Sequence, residues 1–108
     1  MLEIKSSNYV NGKGVFTDSA IPSGELIGIW ASTKQIGRLL FQDGMSEPWY
    51  ESQVLGRYAN HSDSPNTEVR LNGDSLFLYS TGIEANCEIT VDYSNSENLI
   101  GYKANTSF

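Results

Sequence analysis

The residues best suited to chemistry lie in one short polar stretch, residues 57–66. It contains the chain's one histidine, His61, together with Asn60, Asn66 and the conformationally restricted Pro65. The stretch has no amphipathic period, so it is predicted to be a loop. Amide and imidazole side chains can donate and accept hydrogen bonds. The composition therefore indicates a loop built for contacts.

A second stretch, residues 88–93, has the two-residue period of a strand. Its residues alternate in polarity, with Ile89, Val91 and Tyr93 set against Glu88, Thr90 and Asp92. This pattern predicts a strand with one buried, apolar face. The strand is predicted to end on Tyr93, whose hydroxyl can donate and accept hydrogen bonds.

A third stretch, Gly12-Lys13-Gly14, brackets one residue with two glycines near the start of the chain. Glycine is typical of positions where φ is positive or where the backbone approaches a partner closely. This pattern is common on its own. Its position ahead of the other two stretches makes the set of three much more specific.

In this order, the three stretches resemble the signatures of the SET domain, the fold of most protein-lysine methyltransferases. The resemblance runs from about residue 9 to residue 93. It implies a mainly β fold, the β-clip, with short strands in small sheets, one or two short helical turns and a C-terminal pseudoknot. A single domain would then span residues 1–108, and residues 94–108 would form a tail that could close the active site.

The resemblance also implies a cofactor, S-adenosylmethionine, with S-adenosylhomocysteine as its product and no metal. The glycine-bracketed loop and one asparagine would hold its amino-acid end. The histidine backbone would meet the adenine edge, and a tyrosine would lie along the cofactor. The implied cofactor-binding residues are Gly12, Lys13, Gly14, Tyr58, Asn60 and His61.

Tyr93 is the catalytic residue that the resemblance implies, because its hydroxyl would orient the reacting centre between the methyl group and the lysine amine. His61 is expected to shape its loop rather than to transfer a proton. Aromatic walls suit a lysine channel, since they exclude water and attract cations. The candidate channel residues are Trp30, Trp49, Tyr50 and Tyr102, and the first three are alternatively core residues.

The chain departs from the family pattern near its end. Asn95 stands where many members have a second tyrosine, so the number of methyl groups added stays open. Tyr102 and Phe108 are the candidates for an aromatic ring over the adenine. Cys87, as a single cysteine, cannot build the zinc segment that closes the channel in many members. Another part of the chain, or the second subunit of a homodimer, must close it instead.

The charge of the chain favours a basic partner. The net charge is −6; residues 1–40 carry four basic and three acidic side chains, whereas residues 41–108 carry three basic and ten acidic ones. This acidic part would repel a nucleic acid and attract a protein or peptide rich in lysine and arginine. With no apolar run long enough to span a membrane and no signal-peptide pattern, we expect a soluble intracellular protein, in the cytoplasm or a eukaryotic nucleus.

Turn residues and periodicity predict the remaining elements. Alternation and apolar runs predict short strands in the first third of the chain, one of them at residues 26–30 and buried on both faces. A helix is expected from Lys34 to no further than Gly44, with a second helical turn at residues 50–55. Strands at residues 67–71 and 75–79 flank Asn72-Gly73, which predicts a hairpin with a type I′ turn.

Together, these features predict a protein-lysine N-methyltransferase that modifies a histone or another basic protein. The chain resembles the minimal stand-alone SET proteins found in viruses and some microbes. One alternative is a catalytically silent SET-like module that binds the cofactor or a partner. A second alternative is a methyltransferase for a small-molecule amine.

Overall fold

The computed structural model describes residues 1–41, 48–94 and 99, and its regular structure in these residues is mostly strand, as predicted. The elements in chain order are β1 (Leu2–Ser6), β2 (Lys13–Thr17), β3 (Leu26–Ser32), β4 (Leu39–Phe41), β5 (Trp49–Glu51), α1 (Leu55–Tyr58), β6 (Asn60–His61), β7 (Thr67–Asn72), β8 (Ser75–Ser80) and β9 (Thr90–Val91).

The strands form small sheets. The largest has the order β4-β5-β3-β8-β7 with antiparallel neighbours, and β1 pairs antiparallel with β2. In the third sheet β6 and β9 are parallel, and Asn60 pairs with Thr90 while His61 pairs with Val91. This pairing lays β9 along residues 60–66, the Asn-His-Ser loop, which is the contact that the predicted pseudoknot requires.

The β7–β8 hairpin confirms the predicted strands but not the predicted turn. Asn72 pairs with Ser75, so the two loop residues are Gly73 and Asp74. Gly73 has a φ of 65°, and Asp74 is not among the residues with positive φ. A positive φ at the first central position alone is the type II′ pattern. The predicted type I′ turn is wrong because the loop lies one residue later.

The predicted helix from Lys34 is wrong, because residues 36–38 bend and lead into β4. The Glu51 amide donates a 2.9 Å hydrogen bond to the Arg38 carbonyl oxygen, as in a strand pair. A Cβ on Gly37 would lie 2.1 Å from the Glu51 carbonyl oxygen, so this pairing needs glycine. In a helix interior the same glycine costs about 1 kcal/mol. The helical spacing of apolar residues was therefore misleading.

The second predicted helical turn, at residues 50–55, is also displaced. Tyr50 lies in β5, and α1 begins only at Leu55. Gly56 lies inside α1, where a Cβ would come within 2.3 Å of the Trp30 carbonyl oxygen. The glycine therefore lets the short helix pack directly against the backbone of β3.

The core lies between β8 and the segment that leads to β9. Leu76, Leu78, Ile89 and Val91 are all fully buried. β3 is buried only at its C-terminal half, since Leu26 is half exposed, so the predicted burial of both its faces holds for part of the strand. The core thus supports the backbone that immediately precedes Tyr93.

Within the described part of the chain, no helix has the length and apolar character of a membrane span. The same residues contain no group of three or more His, Cys, Asp or Glu side chains arranged to hold a metal ion.

Candidate active site

The Asn-His-Ser loop is clamped onto β9 by Asn66. Its Nδ2 donates to the Glu88 carbonyl oxygen at 2.8 Å, and its Oδ1 accepts from the Thr90 amide at 2.9 Å. The Ser62 amide adds a bond of 3.0 Å to the Val91 carbonyl oxygen. Asn66 therefore holds the loop against β9 and fixes where Asn60 and His61 lie.

Tyr93 lies just beyond β9, at the start of a helical turn. The strand predicted at residues 88–93 corresponds to β9, which spans only Thr90–Val91. The Asp92 carboxylate caps the turn by accepting from the Ser94 amide at 3.0 Å, which is a typical N-cap contact. The Tyr93 phenol donates to the Ala59 carbonyl oxygen at 2.7 Å.

His61 is held through both of its ring nitrogens. Its Nδ1 accepts from the Tyr93 amide at 3.1 Å, and its Nε2 lies 2.9 Å from an Asp63 carboxylate oxygen. This arrangement assigns the proton of a neutral ring to Nε2. The ring centroids of His61 and Tyr93 are 5.2 Å apart. The side chain thus joins its loop to Tyr93.

Glu88 is the main feature that the sequence analysis missed. The alternating pattern places it on the exposed face, yet it is 2% exposed, and Ile89, Thr90 and Val91 are buried too. This segment is covered on both sides, so alternation does not report burial there. Both Glu88 carboxylate oxygens accept hydrogen bonds, including one of 3.0 Å from Asn60 Nδ2.

The glycine-bracketed loop meets the same two residues. A Cβ on Gly14 would lie 2.3 Å from Glu88 Oε2 and 3.2 Å from Asn60 Nδ2, so this position admits only glycine without rearrangement. The Lys13 carbonyl oxygen accepts a 2.9 Å bond from Asn60 Nδ2. A Cβ on Gly12, in contrast, would have no atom within 4 Å and would point into open space.

Three of the predicted site residues share one cleft of about 330 Å³. That volume lies within the range of roughly 300–1,000 Å³ that is typical of small-molecule and cofactor sites. Two apolar or aromatic side chains from the loop after β1 also face it, and sequence reasoning missed both. The lining residues are Tyr9, Val10, Asn60, His61, Asp63 and Tyr93.

Tyr58, which was predicted to lie along the cofactor, lines a different cleft of about 340 Å³. Its ring lies 5.5 Å from the Arg57 guanidinium. The second cleft also contains Arg38 and Glu51, which form an ion pair. The structure therefore does not bring Tyr58 together with Asn60, His61 and Tyr93 in one cleft.

The aromatic residues predicted to line the lysine channel differ in their burial. Trp30 and Trp49 are buried in the core, and Tyr50 is half-buried on β5. The Trp30 ring contacts the Tyr93 ring, at 5.8 Å between centroids, and the Trp30 Nε1 has no hydrogen-bond partner among the described residues. Tyr102 lies outside the described residues, as do Asn95 and Phe108.

Comparisons with known proteins agree with this architecture. A sequence model of the SET domain matches residues 12–94, which include all three signatures. The structure resembles that of a proposed histone methyltransferase from Plasmodium falciparum, with a TM-score of 0.59 and 24% identity over 86% of this chain and 96% of that chain. A search of curated proteins found no match. The structural likeness confirms the predicted fold, and the family match shows that the chain belongs to the SET-domain family.

Proposed function

We propose that this SET-domain protein is a protein-lysine N-methyltransferase that uses S-adenosylmethionine. The placement of Tyr93 carries the proposal, because its side chain lines the same cleft as Asn60 and His61. The resemblance assigns the cofactor to the Asn-His-Ser loop and the reacting amine to the tyrosine. One cleft would therefore bring both reactants together.

The residues of the cleft suit this cofactor. Asn60 uses its Nδ2 for Glu88 and the Lys13 carbonyl, which directs its Oδ1 away from these acceptors. That oxygen can accept from an ammonium group such as the one at the amino-acid end of the cofactor. Gly12 does not line this cleft, but the open space beside it leaves room for part of a ligand against its backbone. Bound there, S-adenosylmethionine would supply a methyl group activated by a sulfonium.

The Tyr93 hydroxyl would orient the amine. Its single hydrogen is directed to the Ala59 carbonyl oxygen, and a hydroxyl oxygen that donates can also accept. An amine N–H that donates to this oxygen is held with its own lone pair in a defined direction. Positioning of this kind can account for a large part of the acceleration of a two-reactant step.

The amine must lose its proton before it can attack the methyl group. His61 is a poor candidate for this role, since its ring nitrogens bond to the Tyr93 amide and Asp63. We therefore assign proton removal to solvent. Transfer then makes a carbon–nitrogen bond, breaks the carbon–sulfur bond and leaves a methylated ammonium on the lysine.

We propose a basic protein segment, such as a histone tail, as the substrate. The acidic excess of residues 41–108 would attract such a segment. At the cleft itself, Asp63 has a side chain that is 99% exposed and can meet a cation beside the target lysine. A small-molecule amine without flanking cations would gain less from this charge.

Incubation with labelled S-adenosylmethionine and histones or basic peptides tests the proposal. We expect label on lysine with the wild type and on the order of a 10²-fold loss with Tyr93→Phe. Tyr79→Phe is the matched control, because Tyr79 lies on β8 against Arg70 and not in the cleft. Cofactor binding without transfer to any basic protein would instead favour the catalytically silent module.

The homodimer remains a prediction. Light scattering of the active protein tests it. A monomer with full activity would rule it out.

A further inference from the structure

The Glu88 carboxylate is buried behind the cleft without a cation. It is 2% exposed, and among the described residues no ammonium or guanidinium lies within ion-pairing distance. A buried charge is costly unless hydrogen bonds compensate for its lost hydration. The donors of these bonds show which segments of the chain the carboxylate connects.

Hydrogen bonds reach Glu88 from two separate segments of the chain. The Asn8 amide donates to Oε1 at 2.7 Å, and the Ser7 hydroxyl donates at 2.8 Å to Oε2 and at 3.1 Å to Oε1. Asn60 Nδ2 donates to Oε2 at 3.0 Å. The carboxylate therefore ties the loop after β1 to the Asn-His-Ser loop.

Ser7 extends this connection to the rim of the cleft. Its Oγ accepts from the amides of Tyr9 and Val10 at 3.0 and 3.2 Å, while its own amide donates to the Gly12 carbonyl oxygen at 2.8 Å. Tyr9 and Val10 line the cleft, and their side chains are exposed, so within the described residues these two backbone bonds are their main attachment. Their placement depends on the Ser7 hydroxyl, and the hydroxyl depends on Glu88.

Glu88 also determines how the Asn60 amide is turned. The two Nδ2 hydrogens have two acceptors, Glu88 Oε2 and the Lys13 carbonyl oxygen. An amide turned the other way would place its oxygen against both of these acceptors. The carboxylate therefore keeps Asn60 Oδ1 available as the acceptor for the ligand.

We propose that Glu88 and Ser7 are positioning residues that set both walls of the cofactor cleft. They act through Asn60 on one side and through Tyr9 and Val10 on the other. This inference rests on the proposed function, because it takes the ligand of the cleft to be S-adenosylmethionine. It also makes a statement about the free protein, namely that the loop after β1 is ordered by this carboxylate.

Two variants test the proposal in the full chain. Glu88→Gln replaces one acceptor oxygen by a donor, and Ser7→Ala removes the hydroxyl with little risk to the core. In both, we expect NMR order parameters at Asn8, Tyr9 and Val10 to fall from about 0.85 towards 0.6. The KM and calorimetric Kd for S-adenosylmethionine should rise on the order of tenfold, with the KM for a lysine peptide within about twofold of wild type.

Two further variants serve as controls. Ser7→Thr keeps the hydroxyl and should restore cofactor affinity. Glu68→Gln makes the same change in net charge at an exposed glutamate on β7 and should change nothing.

The outcomes separate this proposal from the function itself. If Ser7→Ala keeps the wild-type order parameters and cofactor Kd while the wild type transfers methyl groups, the positioning role is overturned and the function stands. If the wild type binds no cofactor, the proposed function fails, and the cofactor role of the pair fails with it. A loss of loop order in the variants would then support only the role of Glu88 and Ser7 in ordering the loop after β1.

Discussion

The phenol oxygen of Tyr93 lies 2.7 Å from the carbonyl oxygen of Ala59, the residue immediately before the Asn-His-Ser loop. The amide of the same tyrosine donates to His61 Nδ1. The residue is thus bound to the loop at its backbone and at the tip of its side chain. This double attachment sets the direction of the hydroxyl lone pairs, on which the proposed chemistry depends.

Tyr93→Phe should separate activity from stability. The variant loses one hydrogen bond to a backbone carbonyl, so the free energy of unfolding should fall by only about 0.5–1.5 kcal/mol. The rate of methyl transfer should fall far more, because the amine loses its orienting acceptor. Urea denaturation beside single-turnover transfer measures both quantities. A variant that unfolds easily but transfers methyl groups at the wild-type rate would make Tyr93 a purely structural residue.

Local chemistry explains why part of this arrangement was predictable. Asn72-Gly73 marks the hairpin to within one residue, because few residues tolerate the backbone angles of a tight turn. The polar run from Asn60 to Asn66 marks the loop, since a core would not take so many amides. Tyr93 follows from the motif that ends on it.

The role of Glu88 was not predictable, because its burial comes from segments far away in the sequence. Its partners Ser7, Asn8 and Asn60 are 81, 80 and 28 residues away along the chain. An alternating pattern describes a strand with one covered face. The pattern carries no information about a strand covered on both faces by distant loops.

The prediction of helix within residues 34–51 failed for a related reason. Apolar spacing there fits a helix, but the backbone of Gly37 and Arg38 pairs with Glu51 instead. Strand pairing depends on the partner strand, which a local window does not contain. The mid-segment glycine was the available signal against a helix.

The two glycines of the bracketed loop should respond differently to alanine. In Gly14→Ala the new Cβ would collide with the Glu88 carboxylate, so we expect a loss of about 1–3 kcal/mol in the free energy of unfolding. In Gly12→Ala the Cβ would point into open space, so stability should stay within about 1 kcal/mol of wild type. Because that space is the proposed cofactor cradle, Gly12→Ala should nevertheless weaken cofactor binding.

Urea denaturation and calorimetry measure the two effects of this glycine pair. Equal stability of Gly14→Ala and the wild type would contradict the close packing against Glu88. Unchanged cofactor affinity in Gly12→Ala would contradict the placement of the cofactor beside Gly12.

Asn66→Ala should be among the more destabilising single changes in the polar loop. It leaves the Thr90 amide and the Glu88 carbonyl oxygen without their partner in a buried segment, at a cost of roughly 2–4 kcal/mol. Asn72→Ala, at the exposed end of the hairpin, is the matched control and should change stability by less than about 0.5 kcal/mol. Similar unfolding midpoints for the two variants would show that the clamp contributes little.

Salt should weaken the binding of the protein substrate more than the binding of the cofactor. Raising the ionic strength from 0.1 to 1 M shortens the screening length from about 10 to about 3 Å. The KM for a basic peptide should therefore rise, and the KM for S-adenosylmethionine should stay nearly constant. Asp63→Asn should reduce this salt dependence, because it removes an exposed charge at the cleft. A peptide with one lysine and neutral flanks provides the control, and an equal response of both peptides would count against an electrostatic substrate site.

The rate of transfer should rise with pH because only the neutral amine is reactive. A free lysine has a pKa of about 10.4, so near pH 7 almost all of it is charged. Each unit of pH then raises the neutral fraction about tenfold, and log kcat/KM should climb with a slope near one. Desolvation in the cleft would disfavour the charged amine and lower its pKa in the complex, so kcat should level off below pH 10.4. Steady-state rates between pH 6.5 and 9.5, with circular dichroism as the control for folding, test this profile. A pH-independent rate in the folded protein would contradict proton removal from the lysine by solvent in this pH range.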